Sequence, residues 1–242
     1  MSGALAGRTV LVTGGTKGIG RGMAAALTEA GAAVIVTGRN APEAGLVGQF
    51  FALDIAAGRN AIELAVERLW ADTGGVDVLF NNAGAVMMQA ALDIEEAEWR
   101  ALFETNVSGL FWACQSFGRR MLERGHGKII NVSSDIGIRG EANWAAYAAT
   151  KGAVVSLSKS LAWEWAPAVT VNIIAPGPFD TPANALAFGI PEVMEAVNAR
   201  VPLGRVGNPE ADLGPLAVLL AGPGSDFMTG AIFRVDGGIC RS

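Results

Sequence analysis

Short runs of apolar, mostly β-branched residues alternate along the chain with longer segments of helical periodicity. The runs predict seven strands, at residues 8–13, 32–38, 49–53, 76–81, 127–133, 168–175 and 231–236. Helices are predicted between most of them, at residues 18–30, 59–72, 96–122, 147–166 and 209–221. Because apolar strands alternate with helices, the sequence predicts an α/β fold with one doubly wound parallel sheet and helices on both faces.

Two segments interrupt this alternation. Only fifteen residues lead from Arg39 to Asp54, and "NAPEAGLVGQFF" is too short and too rich in Gly and Pro for a full helix. Residues 176–207 form one long irregular stretch, and a substrate loop or lid is predicted within it, at about 178–206. Because no linker or internal repeat divides the chain, residues 1–242 are predicted to form a single domain.

Composition narrows the classes of function. The net charge is −5 and no basic cluster is present beyond short pairs, which argues against a nucleic-acid partner. The only histidine, His126, lies in a predicted turn, which argues against a Ser-His-Asp hydrolase. Two cysteines match no disulfide framework or metal-ligand spacing, and no apolar run is long enough to span a membrane. We expect a cytoplasmic protein with no metal and no membrane partner.

A glycine-rich turn joins the first predicted strand to the first predicted helix. In "VLVTGGTKGIGRG", Gly14, Gly18 and Gly20 would let the backbone approach a pyrophosphate at the positive N-terminus of the helix. The spacing is G-x-x-x-G-x-G rather than the commoner G-x-G-x-x-G, and glycine also occurs at such turns for steric reasons alone. The turn favours nucleotide binding without establishing it.

The end of the second predicted strand bears on the choice between two cofactors. An acidic residue there would bind the ribose hydroxyls of NAD, whereas a basic one would accept the 2′-phosphate of NADP. The strand ends in Gly38 and Arg39, Lys17 lies in the glycine turn, and Glu43 is the first acidic residue that follows. The pattern favours NADP(H) and leaves NAD(H) open.

One short segment carries candidate proton chemistry. Tyr147 is the only tyrosine of the chain, and Lys151 lies four residues later on the same predicted helix. Positions i and i+4 share a helix face, so the ammonium group can favour the phenolate and lower the pKa of the phenol. The pair is therefore a candidate general acid or base for an alcohol or ketone substrate.

Six motifs occur in the order and at the intervals of a known family: "TGGTKGIG" (13–20), "NNAG" (81–84), "ETNVSG" (104–109), "NVSS" (131–134), "YAATK" (147–151) and "APGPFDT" (175–181). Together they resemble the motif set of the short-chain dehydrogenases/reductases, over essentially the whole chain. The resemblance implies a Rossmann-type dinucleotide-binding domain. It also implies hydride transfer between a nicotinamide cofactor and a small-molecule secondary alcohol or ketone.

The resemblance also implies the site residues. The catalytic tetrad falls on Asn106, Ser134, Tyr147 and Lys151, and the interval to the tyrosine selects Ser134 over Ser133. Ser134 would polarise the substrate oxygen, and Asn106 would connect Lys151 to solvent through a water. The residues that the resemblance places around the cofactor are Gly14, Thr16, Lys17, Gly18, Ile19, Gly20, Arg39, Asp54, Ile55, Asn82, Ala83, Gly84, Tyr147, Lys151, Pro176, Gly177, Phe179 and Thr181.

The helix that carries the tyrosine is apolar nearly all round. Trp163 and Trp165 lie two positions apart, so they point to different faces and cannot both enter one core stripe. A helix of this kind is usually buried on more than one side. We therefore expect a homo-oligomer, either a dimer or a tetramer, as the family commonly forms; an isolated exposed tryptophan is the alternative.

The sequence leaves the substrate open. Met87, Met88, Trp144, Phe179 and Phe188 are candidates for an apolar pocket or for ordinary core, and Asp135, Arg139 and Glu141 lie beside the predicted catalytic serine. The C-terminal part is similar to sugar-acid dehydrogenases and also to 3-oxoacyl-carrier-protein reductases. A non-catalytic nucleotide-binding sensor and a non-redox enzyme of the same fold remain as alternatives of other classes.

Overall fold

The computed structural model describes residues 3–182 and 184–240. Residues 1, 2, 241 and 242 of the predicted domain and residue 183 of the predicted lid lie outside the described residues. Seven parallel strands form one sheet in the order β3-β2-β1-β4-β5-β6-β7. They are β1 (Thr9–Val12), β2 (Ala33–Gly38), β3 (Gln49–Ala52), β4 (Val78–Asn81), β5 (Gly127–Val132), β6 (Val169–Pro176) and β7 (Ile232–Val235). The predicted fold class is confirmed.

Nine α-helices lie in the described part of the chain. They are α1 (Gly18–Glu29), α2 (Arg59–Thr73), α3 (Glu96–Phe103), α4 (Leu110–Arg124), α5 (Ile136–Arg139), α6 (Ala145–Trp165), α7 (Ala185–Phe188), α8 (Pro191–Arg200) and α9 (Gly214–Ala221). Each helix predicted from the sequence corresponds to one or more of these.

Alternating side chains of the strands build two hydrophobic cores. On one face of the sheet, Val10 and Val12 belong to a core completed by α1 and α9. On the other face, Leu11 belongs to a core completed by α2, α4 and α6. Because successive strand residues point to opposite faces, a strand between two helical layers must be apolar at every position. This requirement explains the near-continuous apolar runs.

Three predicted segments differ from the structure. The helix predicted at 96–122 is divided into α3 and α4 by a π-helical turn at Glu104–Gly109, and the one predicted at 209–221 opens with a π-helical turn at Pro209–Leu213. Residues 176–207 contain α7 and α8 and are not irregular throughout. Pro191 is the first residue of α8, a position where its missing N–H leaves no helical bond unmade.

The connection between β2 and β3 follows the prediction. Residues 39–48 are all described, and none of them is helical. The loop is joined to α1 by the Arg21 Nε group, which donates to the Gly45 carbonyl at 3.1 Å. The sheet edge near β3 is therefore less covered than the rest of the sheet.

Candidate active site

Many of the candidate site residues lie in loops that follow the carboxyl ends of strands, whereas Asn106, Tyr147 and Lys151 lie on helical segments. The chain winds outward from β1 to β3 and then returns to β4 on the other side of β1, so the strand order reverses between β1 and β4. Loops diverge at such a switch point and leave a crevice at the carboxyl edge of the sheet. The glycine turn follows β1, residues 82–84 follow β4, Ser134 follows β5 and residues 177–181 follow β6.

The glycine turn between β1 and α1 needs its glycines for two different reasons. Gly14 and Gly18 have φ values of +63° and +55°, a region that side chains disfavour. Gly20 has no such φ, but a Cβ there would lie 2.5 Å from the Gly14 carbonyl oxygen. The turn therefore brings bare backbone to the first turn of α1, whose N–H groups lack helical partners and suit a phosphate.

The loop after β4 is bonded to the glycine turn. The Asn82 amide nitrogen Nδ2 donates to the carbonyls of Thr13 and Gly14 at 3.0 and 3.2 Å. The Thr13 hydroxyl accepts the N–H groups of Asn82 and Ala83, both at 3.0 Å. Asn82, Ala83 and the glycine turn thus form one hydrogen-bonded unit. Thr13 was not among the predicted site residues, although it opens the first motif.

At the far end of the crevice, both predicted phosphate-binding cations are exposed. Lys17 and Arg39 lie at the surface beyond β1 and β2. A Cβ on Gly38 would lie 3.3 Å from the Thr16 side chain, which explains the small residue at the end of β2. Asp54 is exposed and its carboxylate accepts the Ala56 N–H at 3.0 Å, whereas Ile55 is buried.

The segment after β6 arches back toward the glycine turn. A Cβ on Gly18 would lie 3.5 Å from the Thr181 side chain, so Thr181 faces the same crevice. The Pro176 carbonyl accepts the Asp135 N–H at 2.9 Å, and Gly177 N–H donates to Val235 at 2.9 Å. Phe179 is buried, with its ring against Gly207, so its side chain belongs to the core.

Tyr147 and Lys151 lie one turn apart on α6. The Lys151 Nζ atom is 5.7 Å from the centre of the Tyr147 ring and donates to the Val132 carbonyl at 2.9 Å. Lys151 is buried, whereas Tyr147 is half-buried with its ring edge against Trp144. The pair faces the crevice next to Gly84, because a Cβ on Gly84 would lie 3.5 Å from Nζ.

Burial moves both of these groups toward their neutral forms. It raises the pKa of Tyr147 to about 12; the Ser134 side chain opposes this rise and the charge of Asp135 adds to it. Burial likewise lowers the pKa of Lys151 to about 8. The expectation that the lysine lowers the pKa of the phenol is therefore wrong for the free protein. Burial of the phenol is the largest cause of the raised pKa, and the Lys151 ammonium group donates instead to the Val132 carbonyl.

Asn106 lies in the π-helical turn between α3 and α4. Its Oδ1 accepts the Ala85 N–H at 2.8 Å, and its Nδ2 donates to the Ala85 carbonyl at 2.9 Å and to the Thr150 hydroxyl at 3.1 Å. Asn106 thus ties the loop after β4 to the tyrosine helix. π-helical turns are frequent at functional sites, where the extra residue redirects a side chain. Thr150, which the sequence analysis missed, completes this contact.

The two serines after β5 have different partners. The Ser133 hydroxyl donates to the Lys151 carbonyl at 2.8 Å, so this serine supports the helix. The Ser134 hydroxyl donates to the Asp135 carboxylate at 3.1 Å and accepts the Ile136 N–H at 3.2 Å. Ser134 is also the side chain that acts on the pKa of Tyr147, which agrees with the choice of Ser134 from its interval.

Four charged side chains of alternating sign extend away from Ser134. Asp135 Oδ2 accepts Arg139 Nε at 2.8 Å, and Arg139 also pairs with Glu141. Glu141 then pairs with Arg200, the last residue of α8, at 2.5 Å. The chain of ion pairs therefore connects the wall beside Ser134 to the segment predicted as a lid.

Two further observations concern metals and membranes. Within residues 3–182 and 184–240, no group of three or more His, Cys, Asp or Glu side chains is placed to hold a metal ion. None of the helices in this part of the chain has the length and apolarity needed to cross a bilayer.

The crevice fits a dinucleotide cofactor. Its wall at the glycine turn is closely packed backbone, since a Cβ on Gly14 or Gly20 would clash with the loop after β4, and a helix N-terminus opens onto it. The opposite end of the crevice holds a phenol, a buried ammonium and a hydroxyl. Hydride transfer with a nicotinamide dinucleotide requires phosphate binding at one end of the site and proton exchange at the other.

Comparison with known proteins gives relatives of the same length. The family model described as enoyl-(acyl carrier protein) reductase matches residues 14–240. A 2-dehydro-3-deoxy-D-gluconate 5-dehydrogenase of Bacillus subtilis is 39% identical over 97% of this chain and 95% of that protein. A 3-oxoacyl-[acyl-carrier-protein] reductase of Vibrio cholerae is 36% identical over 97% of this chain and 98% of that protein.

A solved structure agrees with these relatives. It is a gluconate 5-dehydrogenase from Burkholderia cenocepacia in complex with NADP and tartrate, 36% identical, with a TM-score of 0.90 over 97% of this chain and 96% of that chain. The parallel sheet, the glycine turn and the Tyr147–Lys151 pair match what the six motifs imply. The family match extends over nearly the whole chain, and the protein therefore belongs to the short-chain dehydrogenases/reductases.

Proposed function

We propose that this protein is an oxidoreductase that transfers a hydride between NADP(H) and a secondary alcohol or ketone, with Tyr147 as the general acid or base. The observation that carries this proposal is the convergence of Tyr147, Lys151 and Ser134 at one end of a crevice whose other end suits phosphate. When bound, the nicotinamide dinucleotide accepts a hydride from the alcohol or gives one to the ketone.

The state of each side chain in the free protein suits ketone reduction. With a pKa near 12, Tyr147 is protonated at neutral pH and holds the proton that the forming alkoxide needs. With a pKa near 8, Lys151 is mostly cationic at neutral pH and stabilises the phenolate that remains. Ser134 places its hydroxyl against the substrate oxygen. In the direction of oxidation, Tyr147 takes the same proton back.

Asn106 has a positioning role in this proposal. Its side chain is fully bonded to Ala85 and Thr150, so it holds the loop after β4 against the helix of Tyr147. A Cβ on Gly84 would lie within 3.5 Å of both Asn106 Oδ1 and Lys151 Nζ. A water that connects Lys151 to solvent, as the family resemblance implies, would lie at this narrow passage between Gly84, Asn106 and Lys151.

NADP(H) is preferred over NAD(H) on the basis of charge. Lys17 and Arg39 are both exposed at the adenosine end, and β2 ends in Gly38 rather than in an acidic residue. The 36% identical gluconate 5-dehydrogenase binds NADP.

Of the substrate classes considered, sugars and sugar acids fit better than acyl-carrier-protein thioesters. The wall beside Ser134 consists of Asp135, Arg139 and Glu141, all in ion pairs, and such a wall suits a polar substrate. The relative with 39% identity is a sugar-acid dehydrogenase. Residues 178–206 would close over the substrate, since Arg200 already pairs with Glu141 at the edge of the site.

The proposal includes a homo-oligomer in the cytoplasm. An open groove of about 640 Å³ runs between α4 and α6. It is lined by Val107, Ser108, Phe111, Trp112, Ala153, Ser156, Leu157 and Ser160. Trp163, which is 89% exposed, continues the same face of α6, whereas Trp165 is buried in the core. Both cysteines are buried free thiols, which suits a reducing compartment.

Tyr147→Phe should lower kcat by at least about a hundredfold, because it removes the proton donor and little else. Turnover is measured from the absorbance of NADPH with a panel of ketones, sugars and sugar acids. NADPH titration of the variant should give nearly the wild-type affinity. Equal turnover in the variant and the wild type would refute the mechanism, and tight nucleotide binding without turnover in either would instead support a sensor.

Lys151→Met should abolish turnover and yet stabilise the fold at pH 7 by roughly 2 kcal/mol. Burial lowers the lysine pKa from 10.5 to about 8, which costs the folded state about 3 kcal/mol at 1.36 kcal/mol per pKa unit, and the lost Val132 hydrogen bond offsets about 1.

The pH dependence of this difference follows from the sign of the shift. Between pH 8 and 10.5 the unfolded lysine still holds its proton while the folded one has lost it, so wild-type stability rises with pH and the advantage of the variant shrinks. Urea unfolding at pH 7 and at pH 10 measures both values. Lys159→Met, at an exposed position of α6, is the control and should change stability little. A less stable Lys151→Met variant at pH 7 would contradict the prediction.

NADPH should bind at least about tenfold more tightly than NADH, a difference of about 1.4 kcal/mol. Nicotinamide fluorescence in two titrations measures it. Arg39→Ala should remove most of the preference, whereas Arg68→Ala, at an exposed position of α2, should retain it. Tighter binding of NADH to the wild type would overturn the assignment of Arg39 and Lys17.

Ser156→Glu should reduce the mass of the assembly in solution. Ser156 is exposed in the α4–α6 groove, so the substitution leaves the protomer fold intact and places charges in the proposed interface. Light scattering after size exclusion gives the mass, with Arg68→Glu as a control outside the groove. A wild-type protein that is monomeric at micromolar concentration would refute the oligomer.

A further inference from the structure

The hydroxyl of Ser134 is hydrogen-bonded to its own chain neighbours in this structure. A serine hydroxyl has one proton and two lone pairs. The proton goes to Asp135 Oδ1 at 3.1 Å, since an ionised carboxylate can only accept, and one lone pair accepts the Ile136 N–H at 3.2 Å. Ser134 therefore cannot donate to a substrate oxygen until it releases Asp135.

Asp135 is paired with an arginine on the side away from Ser134. Its side chain is 4% exposed and its Oδ2 accepts Arg139 Nε at 2.8 Å. Burial alone would lower the pKa of Arg139, but Asp135 and Glu141 outweigh it and raise that pKa. Burial alone would raise the pKa of Glu141, but Arg200 and Arg139 outweigh it and lower that pKa. Asp135, Arg139, Glu141 and Arg200 thus form a continuous chain of ion pairs, with two groups of each sign.

Substrate binding changes the partners of Asp135. When Ser134 turns its proton to the reacting oxygen, Asp135 Oδ1 loses its donor while Oδ2 keeps Arg139. A buried carboxylate oxygen left without a donor is costly. The substrate can remove that cost if it donates a hydrogen bond to Asp135 Oδ1 while its reacting oxygen accepts the proton of Ser134. Such a donor lies about one hydrogen-bond length from Ser134. A hydroxyl on the carbon next to the reacting carbon lies at that distance from the reacting oxygen.

We infer that Asp135 is a specificity-determining residue, which accepts a hydrogen bond from the hydroxyl vicinal to the reacting carbon. The site would then select vicinal diols and α-hydroxy ketones over simple alcohols, simple ketones and 3-oxoacyl thioesters. Because Arg139 already balances the charge of Asp135, the donor is a neutral hydroxyl rather than an ammonium group. The inference rests on the proposed function and narrows its substrate class.

The test uses two small ketones that differ by one hydroxyl, acetoin (3-hydroxybutan-2-one) and butan-2-one, each reduced with NADPH. Wild-type kcat/KM should favour acetoin by at least about tenfold, since a site built to bond a hydroxyl rejects the analogue that lacks it. This comparison needs no variant, so it remains decisive even if a substitution impairs folding. Equal kcat/KM for the two ketones in the wild type would overturn the inference.

Asp135→Asn is the matched variant because it preserves shape and volume. Arg139 would draw the amide oxygen toward itself, so the amide NH₂ would face Ser134 and could no longer accept a hydroxyl proton. The acetoin preference should therefore fall to about one. Asp212→Asn is the control, because Asp212 is also paired with an arginine, Arg205, at 2.6 Å but does not contact Ser134. It should keep the wild-type preference.

A merely structural role for Asp135 would give a different result. Loss of structure would lower kcat/KM for both ketones in parallel and leave their ratio unchanged, and that outcome in Asp135→Asn would overturn the inference. Failure of the proposed function is recognised separately. It would appear as no NADPH oxidation with any ketone, sugar or sugar acid, or as full turnover in Tyr147→Phe.

Discussion

Parallel strands bring all of their carboxyl ends to one edge of a sheet, and the loops that follow four of these ends surround the site of the proposed chemistry. The glycine turn, the loop at 82–84, Ser134 and Thr181 come from four different strands and lie around one crevice. Their contacts are made by hydrogen bonds between loops, such as those that join Asn82 to the glycine turn. The two cores on either side of the sheet hold the strand ends in register, so the precision of the site depends on apolar packing some distance from it.

The chemistry depends on placing ionisable groups where water is scarce. Burial lowers the pKa of Lys151 to about 8 and raises that of Tyr147 to about 12. It therefore disfavours the ammonium form of the lysine and the phenolate form of the tyrosine, the two charged forms that the proposed reaction uses. The protein retains this unfavourable arrangement with a hydrogen bond to Val132 and with Asn106 and Thr150 behind the helix. Beside it, the charges from Asp135 to Arg200 are balanced in pairs. A site that transfers a proton to a polar substrate thus combines two ionisable groups whose charged forms are disfavoured with a wall whose charges are balanced.

The sequence predicted the features that short-range patterns control. The strands follow from apolar runs and the glycine turn from its spacing. The tetrad comes from the family resemblance and stays a prediction, although the structure places Tyr147, Lys151 and Ser134 close together. The π-helical turn at Asn106 was missed, because residues 96–122 have a continuous helical pattern and only the contacts of Asn106 with Ala85 and Thr150 require the extra residue. Helix α8 was missed because none of its residues is buried, so it has no apolar stripe facing a core that periodicity could reveal. The pKa of Tyr147 was misjudged in direction, since the degree of burial cannot be read from a spacing of four residues.

The presence of a single tyrosine has a consequence for spectroscopy. A phenolate absorbs at longer wavelength than a phenol, and in most proteins that signal is the sum of many side chains. In this chain it comes from Tyr147 alone. The ultraviolet difference spectrum of the unlabelled protein therefore reports the ionisation of one proposed catalytic group, with no isotope, no probe and no assignment step. Nucleotide or substrate that changes the charge around this phenol would be visible directly in the titration curve of the intact protein.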